Sequence, residues 1–219
     1  RALDLKTGEE LWKAPTNTRW GSPITATLAG RAVVVTPNGE IADVETGELL
    51  ARNLAGLQYN APLVDGEVVY FSQHDSKAYR ITADDHGGLQ TEKLWETKIK
   101  KDRYYASPVL HEGLIYAITQ RSVLSVLDAK TGELVYEQNV DLGKGTVYPS
   151  VTLAGDYVFI SSDNGTTFVL EPGRTHEVLA KNKLEQFRSS PVFAGDRMYV
   201  RTRNHMVCIE AQDTTQARR

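Results

Sequence analysis

The chain has 219 residues, of which 41% are apolar, and a formal net charge of −3. A chain of this length buries roughly 70% of its unfolded surface. The near-neutral charge argues against a dedicated nucleic-acid binder, whose domain is usually strongly basic. No stretch approaches the roughly 20 apolar residues of a membrane-spanning helix, and the single cysteine, Cys208, cannot form a disulfide within the chain.

A short cassette recurs along the chain: a small or aromatic residue, Ser-Pro or a variant of it, apolar residues, a Gly turn and an apolar run. Its central position is occupied in turn by Pro23, Pro62, Pro108, Ser150 and Pro191. The spacing is about 40 residues, which is typical of a β-propeller with one blade per repeat. No window has a sustained period of 3.6, so we expect almost no helix. The pattern predicts an all-β propeller of four-stranded antiparallel blades.

Each repeat divides into four predicted strands, A to D. Strand A follows the proline, and strand B is a β-branched and aromatic run such as 114–117. After a polar turn, strand C leads into Asp-x-x-Thr-Gly-Glu, and strand D carries an aromatic residue or Leu, as at Trp12 and Trp95. In one repeat, residues 83–88 replace the Thr-Gly turn, which predicts a longer loop there.

The repeats predict a single propeller over residues 1–211 and a loose polar tail over 212–219. The predicted whole blades are 14–55, 56–97, 98–140 and 141–181. Strands C and D of an earlier blade precede them at 1–13, and strands A to C of a later blade follow at 182–211. Because the chain begins inside a repeat, we expect it to be a fragment of a longer protein.

The first segment has a recognisable pattern in Ala2, Asp4, Thr7, Gly8 and Trp12. It resembles the tryptophan-docking motif of quinoprotein dehydrogenases and of the wider family of pyrroloquinoline-quinone-like repeat propellers. The motif returns at 128–136 with Tyr in place of Trp. Asp and Thr can bond the backbone of a tight turn, Gly can take a positive φ, and the aromatic ring can wedge between sheets. We therefore assign these residues a structural role and not a catalytic one.

The resemblance implies two functional branches. Quinoprotein dehydrogenases need a pair of adjacent cysteines, a Ca²⁺ held by Glu and Asn, and a catalytic Asp, whereas Cys208 stands alone. Non-catalytic members, such as the lipoproteins that assist outer-membrane barrel assembly, use the same blades to bind proteins. The leading hypothesis is therefore an exported bacterial scaffold, periplasmic or secreted, without catalytic residues or a cofactor. The alternative is a piece of an alcohol or sugar dehydrogenase that uses pyrroloquinoline quinone and calcium.

The histidines do not indicate a metal site. None of the five has another His, a Cys or a carboxylate at metal-ligand spacing. Residues 161–165 could offer oxygens to Ca²⁺, but an Asn-Gly hairpin turn is the preferred interpretation. We expect no metal-binding residues.

One set of residues suggests a binding surface. In an antiparallel blade, the loops that precede strand A and the turns between strands B and C fall on the same face of the disc. The loops carry aromatic, Arg and amide residues, namely Arg19, Trp20, Tyr59, Asn60, Tyr105, Tyr148 and Arg188. Their neighbours in the B–C turns are Asn38, His74, Arg121, Asn164 and His205. This set predicts recognition of a protein or a ligand at the channel mouth, although packing between blades is an equal alternative.

Overall fold

The structure is a computed structural model that describes residues 1–17 and 19–210. The described residues form 21 strands and no helix, so the prediction of an almost helix-free chain is confirmed. No described segment meets the length and hydropathy that a membrane-crossing helix requires. The predicted loose tail, 212–219, lies outside the described residues.

Four antiparallel sheets with four strands each follow a two-stranded sheet, and every sheet joins its strands in chain order. The first sheet is β1 (Ala2–Leu3) and β2 (Glu10–Trp12). Blade 1 is β3 (Ile24–Leu28), β4 (Arg31–Val35), β5 (Ile41–Asp43) and β6 (Leu49–Ala51). Blade 2 is β7 (Leu63–Asp65), β8 (Val68–Phe71), β9 (Asp75–Ala83) and β10 (Leu89–Lys98).

The remaining sheets repeat the same order. Blade 3 is β11 (Val109–His111), β12 (Leu114–Ile118), β13 (Val123–Asp128) and β14 (Leu134–Asn139). Blade 4 is β15 (Thr152–Ala154), β16 (Tyr157–Ser161), β17 (Thr166–Glu171) and β18 (Glu177–Lys183). A three-stranded sheet follows, with β19 (Val192–Ala194), β20 (Arg197–Arg201) and β21 (Met206–Glu210). The predicted four four-stranded blades are confirmed, and within the described residues a two-stranded sheet precedes them and a three-stranded sheet follows them.

The core lies between successive sheets, and the alternation of strand residues explains why. On β8, Phe71 packs into a cluster shared with blade 1, whereas its neighbour Tyr70 packs into a cluster shared with blade 3. On β12, Ile115 joins that second cluster and Tyr116 joins a third, shared with blade 4. Because successive side chains point to opposite faces of a sheet, a strand covered on both sides is apolar at every position. This accounts for the continuous apolar runs of the B strands.

Tryptophans join neighbouring sheets. Trp95 of blade 2 is 8% exposed, and its Nε1 donates a hydrogen bond of 2.9 Å to the carbonyl of Ala129 in blade 3. Trp12 donates in the same way to the carbonyl of Val44 in blade 1, at 2.8 Å. Trp12 is half-buried. Its own sheet has two strands and covers less of the ring.

The Asp-x-x-Thr-Gly turns have the predicted hydrogen bonds. In blade 1, Asp43 Oδ1 accepts from the backbone N–H groups of Glu45 and Thr46, both at 2.9 Å. The bond from the Thr46 N–H is the main cause that lowers the pKa of the Asp43 carboxyl. Asp128 Oδ1 accepts two equivalent bonds in blade 3. The acidic residue therefore stabilises the turn, as the sequence predicts.

Blade 2 departs from the predicted loop. The turn between β9 and β10 spans residues 84–88, which is the same length as 44–48 in blade 1 and 129–133 in blade 3. The additional residues lengthen β9 and β10 and not the loop, so the prediction of a longer loop is wrong. Within the longer hairpin, Ile81 pairs with Thr91 and is fully buried in the core cluster shared with blade 1.

Candidate partner-binding face

Backbone hydrogen bonds place the loops before strand A beside the B–C turns. In blade 3, the N–H of Gln120 donates to the carbonyl of Arg103 at 2.8 Å, and the N–H of Val147 donates to the carbonyl of Gln120 at 3.1 Å. Asp163 of blade 4 donates likewise to Thr146 at 2.9 Å. The two kinds of connection thus lie together on one face, which we call the loop face. The C–D turns lie at the other ends of the strands, on the opposite face.

Four of the predicted residues form one continuous stack on the loop face. The rings of Tyr59 and Tyr105 meet edge to face, with centroids 4.7 Å apart and an interplanar angle of 71°. Tyr105 and Tyr148 stack with centroids 5.0 Å apart at 14°. The guanidinium of Arg188 lies 4.4 Å from the ring centroid of Tyr148. We call Tyr59, Tyr105, Tyr148 and Arg188 the aromatic ladder; it links loops of four successive sheets.

Polar contacts hold the ladder in position. Arg103 Nη1 donates to the hydroxyl of Tyr105 at 3.2 Å, and this bond raises the pKa of the Arg103 guanidinium. Arg188 Nη2 lies 3.6 Å from Asp163 Oδ2, which adds an ion pair to its contact with Tyr148. The three tyrosines are half-buried and Arg188 is exposed. The ladder therefore presents ordered aromatic edges and one cation to solvent.

Three serines, each two residues after a residue of the ladder, join neighbouring sheets by hydrogen bonds. The N–H of Ala61 donates to Ser107 Oγ at 3.1 Å, that of Ser107 to Ser150 Oγ at 3.3 Å, and that of Ser150 to Ser190 Oγ at 3.0 Å. Each bond joins one sheet to the next. These roles were missed from the sequence, although the recurring Ser of the cassette was the available signal.

The other predicted residues differ in their exposure. The side chain of Trp20 is 81% exposed, while its backbone N–H donates to the carbonyl of Gln58 at 3.0 Å. Arg19 is exposed, and its Nε donates to Asn38 Oδ1 at 2.9 Å. Asn60 is 1% exposed, and its Nδ2 donates to the carbonyl of Ser72 at 2.7 Å. Asn60 lies below the surface, so its side chain cannot reach a partner.

Two of the predicted B–C residues, His74 and Asn164, support loops. His74 Nδ1 lies 2.7 Å from the carbonyl of Ile99. Asn164 donates to the carbonyl of Leu142 at 2.7 Å and accepts from the N–H of Thr166 at 2.8 Å. These polar groups are used within the fold and are less available to a partner.

A cleft of about 620 Å³ opens on the loop face between blade 4 and the three-stranded sheet. Four of its lining residues are cationic, namely Lys144, Arg188, Arg201 and Arg203, and one is acidic, Asp163. We call this the cationic cleft. Arg188 also ends the aromatic ladder, so the two features are continuous. The sequence had suggested only Arg188, because the other three cations lie in separate segments.

Among residues 1–17 and 19–210, there is no group of three or more His, Cys, Asp or Glu side chains that could hold a metal ion. The loop face is built instead from rings, guanidinium groups and amides, which are suited to non-covalent recognition.

Comparisons with known proteins agree on the fold. A structure of BamB from Moraxella catarrhalis is similar over 94% of this chain and 64% of that chain, with a TM-score of 0.70 and 14% identity. Sqt1 of Saccharomyces cerevisiae is similar over 85% of this chain and 59% of that chain, with a TM-score of 0.64 and 10% identity. At these identities the likeness concerns the fold alone.

Sequence comparison identifies the family. The outer membrane protein assembly factor BamB of Salmonella typhimurium is 25% identical over 135 residues, which are 61% of this chain and 32% of that protein. The chain thus spans about a third of this relative's length. The family profile described as outer membrane protein assembly factor BamB matches residues 1–219. The chain therefore belongs to the BamB family of pyrroloquinoline-quinone-like repeat propellers.

Proposed function

We propose that this chain is a non-catalytic propeller scaffold that binds a protein partner on its loop face. By family resemblance, the scaffold acts in the periplasm or outside the cell, in the assembly of outer membrane proteins. The name of the Salmonella relative describes such an assembly factor, and its role is extended to this chain only as part of this proposal.

The aromatic ladder is the observation that carries the proposal. Binding energy at protein interfaces concentrates in Trp, Tyr and Arg, and this surface brings Tyr105, Tyr148 and Arg188 into one stack. Trp20 is 81% exposed on the same face. An exposed indole gains most from burial against a partner, because large aromatic side chains supply much of the apolar area that interfaces bury.

An exposed residue on the opposite face provides a matched control position for Trp20. Leu5 lies in the C–D turn of the first sheet and is 103% exposed. A photo-crosslinking phenylalanine derivative, which keeps an aromatic ring at position 20, can replace Trp20 in one variant and Leu5 in another, with the protein expressed in its own organism. Both positions are open to solvent, so a difference between them reports the face and not the accessibility.

We expect the Trp20 variant to crosslink one discrete envelope protein, which mass spectrometry identifies and which then binds the purified scaffold. The Leu5 variant should give no such adduct. Crosslinking from Leu5 alone, or from neither position, would contradict binding on the loop face.

A further inference from the structure

The cationic cleft lies next to the aromatic ladder but differs from it in chemistry. Its lining comes from three segments: the loop at Lys144, the loop at Arg188, and the end of β20 with its turn, at Arg201 and Arg203. Arg188 lies at the junction, since its guanidinium stacks on Tyr148 and belongs to the cleft lining. A partner bound to the ladder would therefore reach the cleft without leaving the loop face.

The charge of the cleft is opposite to that of the whole chain. The chain carries a net charge of −3, yet the cleft combines four cationic side chains with one carboxylate. Several cations elsewhere on the described surface are paired with acids, as in Arg80–Glu92 at 2.7 Å and Arg174–Asp128 at 2.9 Å.

Three of the cleft cations have charged ends that are not used within the described part of the chain. The side chains of Lys144, Arg201 and Arg203 form no hydrogen bond or ion pair with residues 1–17 and 19–210. Arg203 contributes only its backbone N–H, which donates to the carbonyl of Gln186 at 2.8 Å. Arg201 contributes its carbonyl, which accepts from Ser189 Oγ at 3.0 Å. Their guanidinium groups can pair with a ligand without disturbing these contacts.

The distribution of the cations favours an extended acidic segment over a compact anion. The cations project from separate segments around about 620 Å³, a volume in the range of ordinary ligand clefts. Asp163 is in the same lining, and it would repel a doubly charged phosphate more strongly than a single carboxylate. Several singly charged carboxylates along a peptide can each meet a different cation, and Arg pairs well with such groups.

We propose that the cationic cleft binds the carboxylates of an acidic, extended segment of the protein partner. This inference rests on the proposed function, because it names the chemistry of the partner that the loop face holds. The ladder supplies apolar contact, and the cleft selects for negative charge in the adjoining segment of that partner.

A defined peptide tests the cleft without knowledge of the partner. Fluorescently labelled hexaglutamate is titrated with the purified protein at low ionic strength, and anisotropy gives the Kd; hexaglutamine is the uncharged comparison. The test variant combines Arg201→Glu with Arg203→Glu. The control combines Lys6→Glu with Lys130→Glu, which makes the same change in net charge on the C–D turns of the opposite face. Thermal unfolding verifies that both variants fold.

We expect hexaglutamate to bind, hexaglutamine to bind at least tenfold more weakly, and added salt to weaken the complex. The cleft variant should raise the Kd at least tenfold, while the control should change it less than threefold. Equal losses in both variants would show a non-specific charge effect and overturn the proposal. Displacement of the peptide by equimolar inorganic phosphate, or the absence of binding, would overturn it too.

The crosslinking experiment separates this inference from the proposed function. If the Trp20 crosslink persists in the Arg201→Glu, Arg203→Glu variant, the loop face still binds its partner and the role of the cleft is wrong. If the Trp20 crosslink is absent while hexaglutamate binds in a cleft-dependent way, the cleft chemistry holds and the proposed function fails.

Discussion

The indole of Trp95 packs directly on Gly132, a residue of the next blade. A Cβ atom at Gly132 would lie 2.5 Å from Trp95 Cδ2, and Gly132 has a φ of +75°. The same relationship joins Trp12 to Gly47, where a Cβ atom would lie 2.5 Å from the ring. Glycine is required at these positions both because the backbone is left-handed and because an aromatic ring fills the space of the side chain.

Two glycines allow these reasons to be separated. Gly113 has a φ of +74° but open space around its missing Cβ. Gly113→Ala should therefore cost only the left-handed strain, about 1 kcal/mol. Gly132→Ala should cost about 2–4 kcal/mol, because overpacking against Trp95 is added. Chemical denaturation of both variants measures the difference, and equal costs would show that the indole contact contributes nothing.

Removal of the docked indole should destabilise the fold strongly. Trp95→Ala should lower the free energy of unfolding by about 3–5 kcal/mol, as for other buried aromatic truncations. Trp20→Ala is the matched comparison, because Trp20 is 81% exposed and should change stability by less than about 0.5 kcal/mol. Urea unfolding measures both values. A Trp95→Ala variant as stable as Trp20→Ala would contradict the docking role.

The predicted binding residues should affect partner capture and not folding. The double variant Arg19→Ala, Trp20→Ala removes two exposed side chains of the loop face. It should abolish capture of the crosslinked partner, because hot-spot residues dominate binding energy, and leave the melting temperature nearly unchanged. Pull-down with the purified partner and calorimetry test this. If the variant unfolds while binding maps to the Thr-Gly-Glu turns, the loop-face residues have a packing role.

The side-chain carboxyl of Glu185 should titrate at an unusually low pH. Hydrogen bonds from Thr202, Asn204 and His205 lower the pKa of its carboxyl from 4.5 to about 2, and the bond from Thr202 is the largest cause. Because the folded-state pKa is depressed, the stabilising contribution is present above pH 4.5 and lost as the pH falls toward 2. Carbon NMR of the Glu185 carboxyl measures the midpoint. Thr202→Val should raise it, and an unchanged midpoint would contradict the assigned cause.

The dehydrogenase alternative is tested by direct assay. The purified protein is given pyrroloquinoline quinone, Ca²⁺ and either an alcohol or glucose, and reduction of an electron-accepting dye is followed. We expect no turnover, because the adjacent cysteines that the resemblance requires are not present in a chain whose one cysteine is Cys208. A known quinoprotein dehydrogenase is the positive control, and dye reduction above the protein-free rate would refute the scaffold hypothesis.

Local patterns were sufficient to predict the fold. Turn chemistry at Asp43 and Asp128, the spacing of the cassettes, and the apolar B strands each act over a few residues. The direction of the strands alone was sufficient to predict that Tyr105 and Tyr148 lie on the same face. It could not predict their stacking, which depends on the distance between blades and on side-chain rotamers.

The features that the sequence did not predict depend on the direction of side chains and on the packing of one blade against the next. Asn60 follows Tyr59 directly, but its side chain turns inward to Ser72, and the sequence does not indicate that direction. The cationic cleft was missed because Lys144 and Arg203 lie far apart in the chain and meet only when blade 4 packs against the next sheet.

Blade 3 contains a turn at Gly132 that receives the aromatic ring of the preceding repeat, and it also contains a serine, Ser107, that accepts from the preceding repeat and donates its N–H to the following one. A single blade thus carries the hydrogen-bond acceptor for the preceding blade and the hydrogen-bond donor for the following one. If such a unit is copied by gene duplication, the copy meets its neighbour with matching donor and acceptor already in place. The architecture can therefore grow by whole repeats without new kinds of contact between blades.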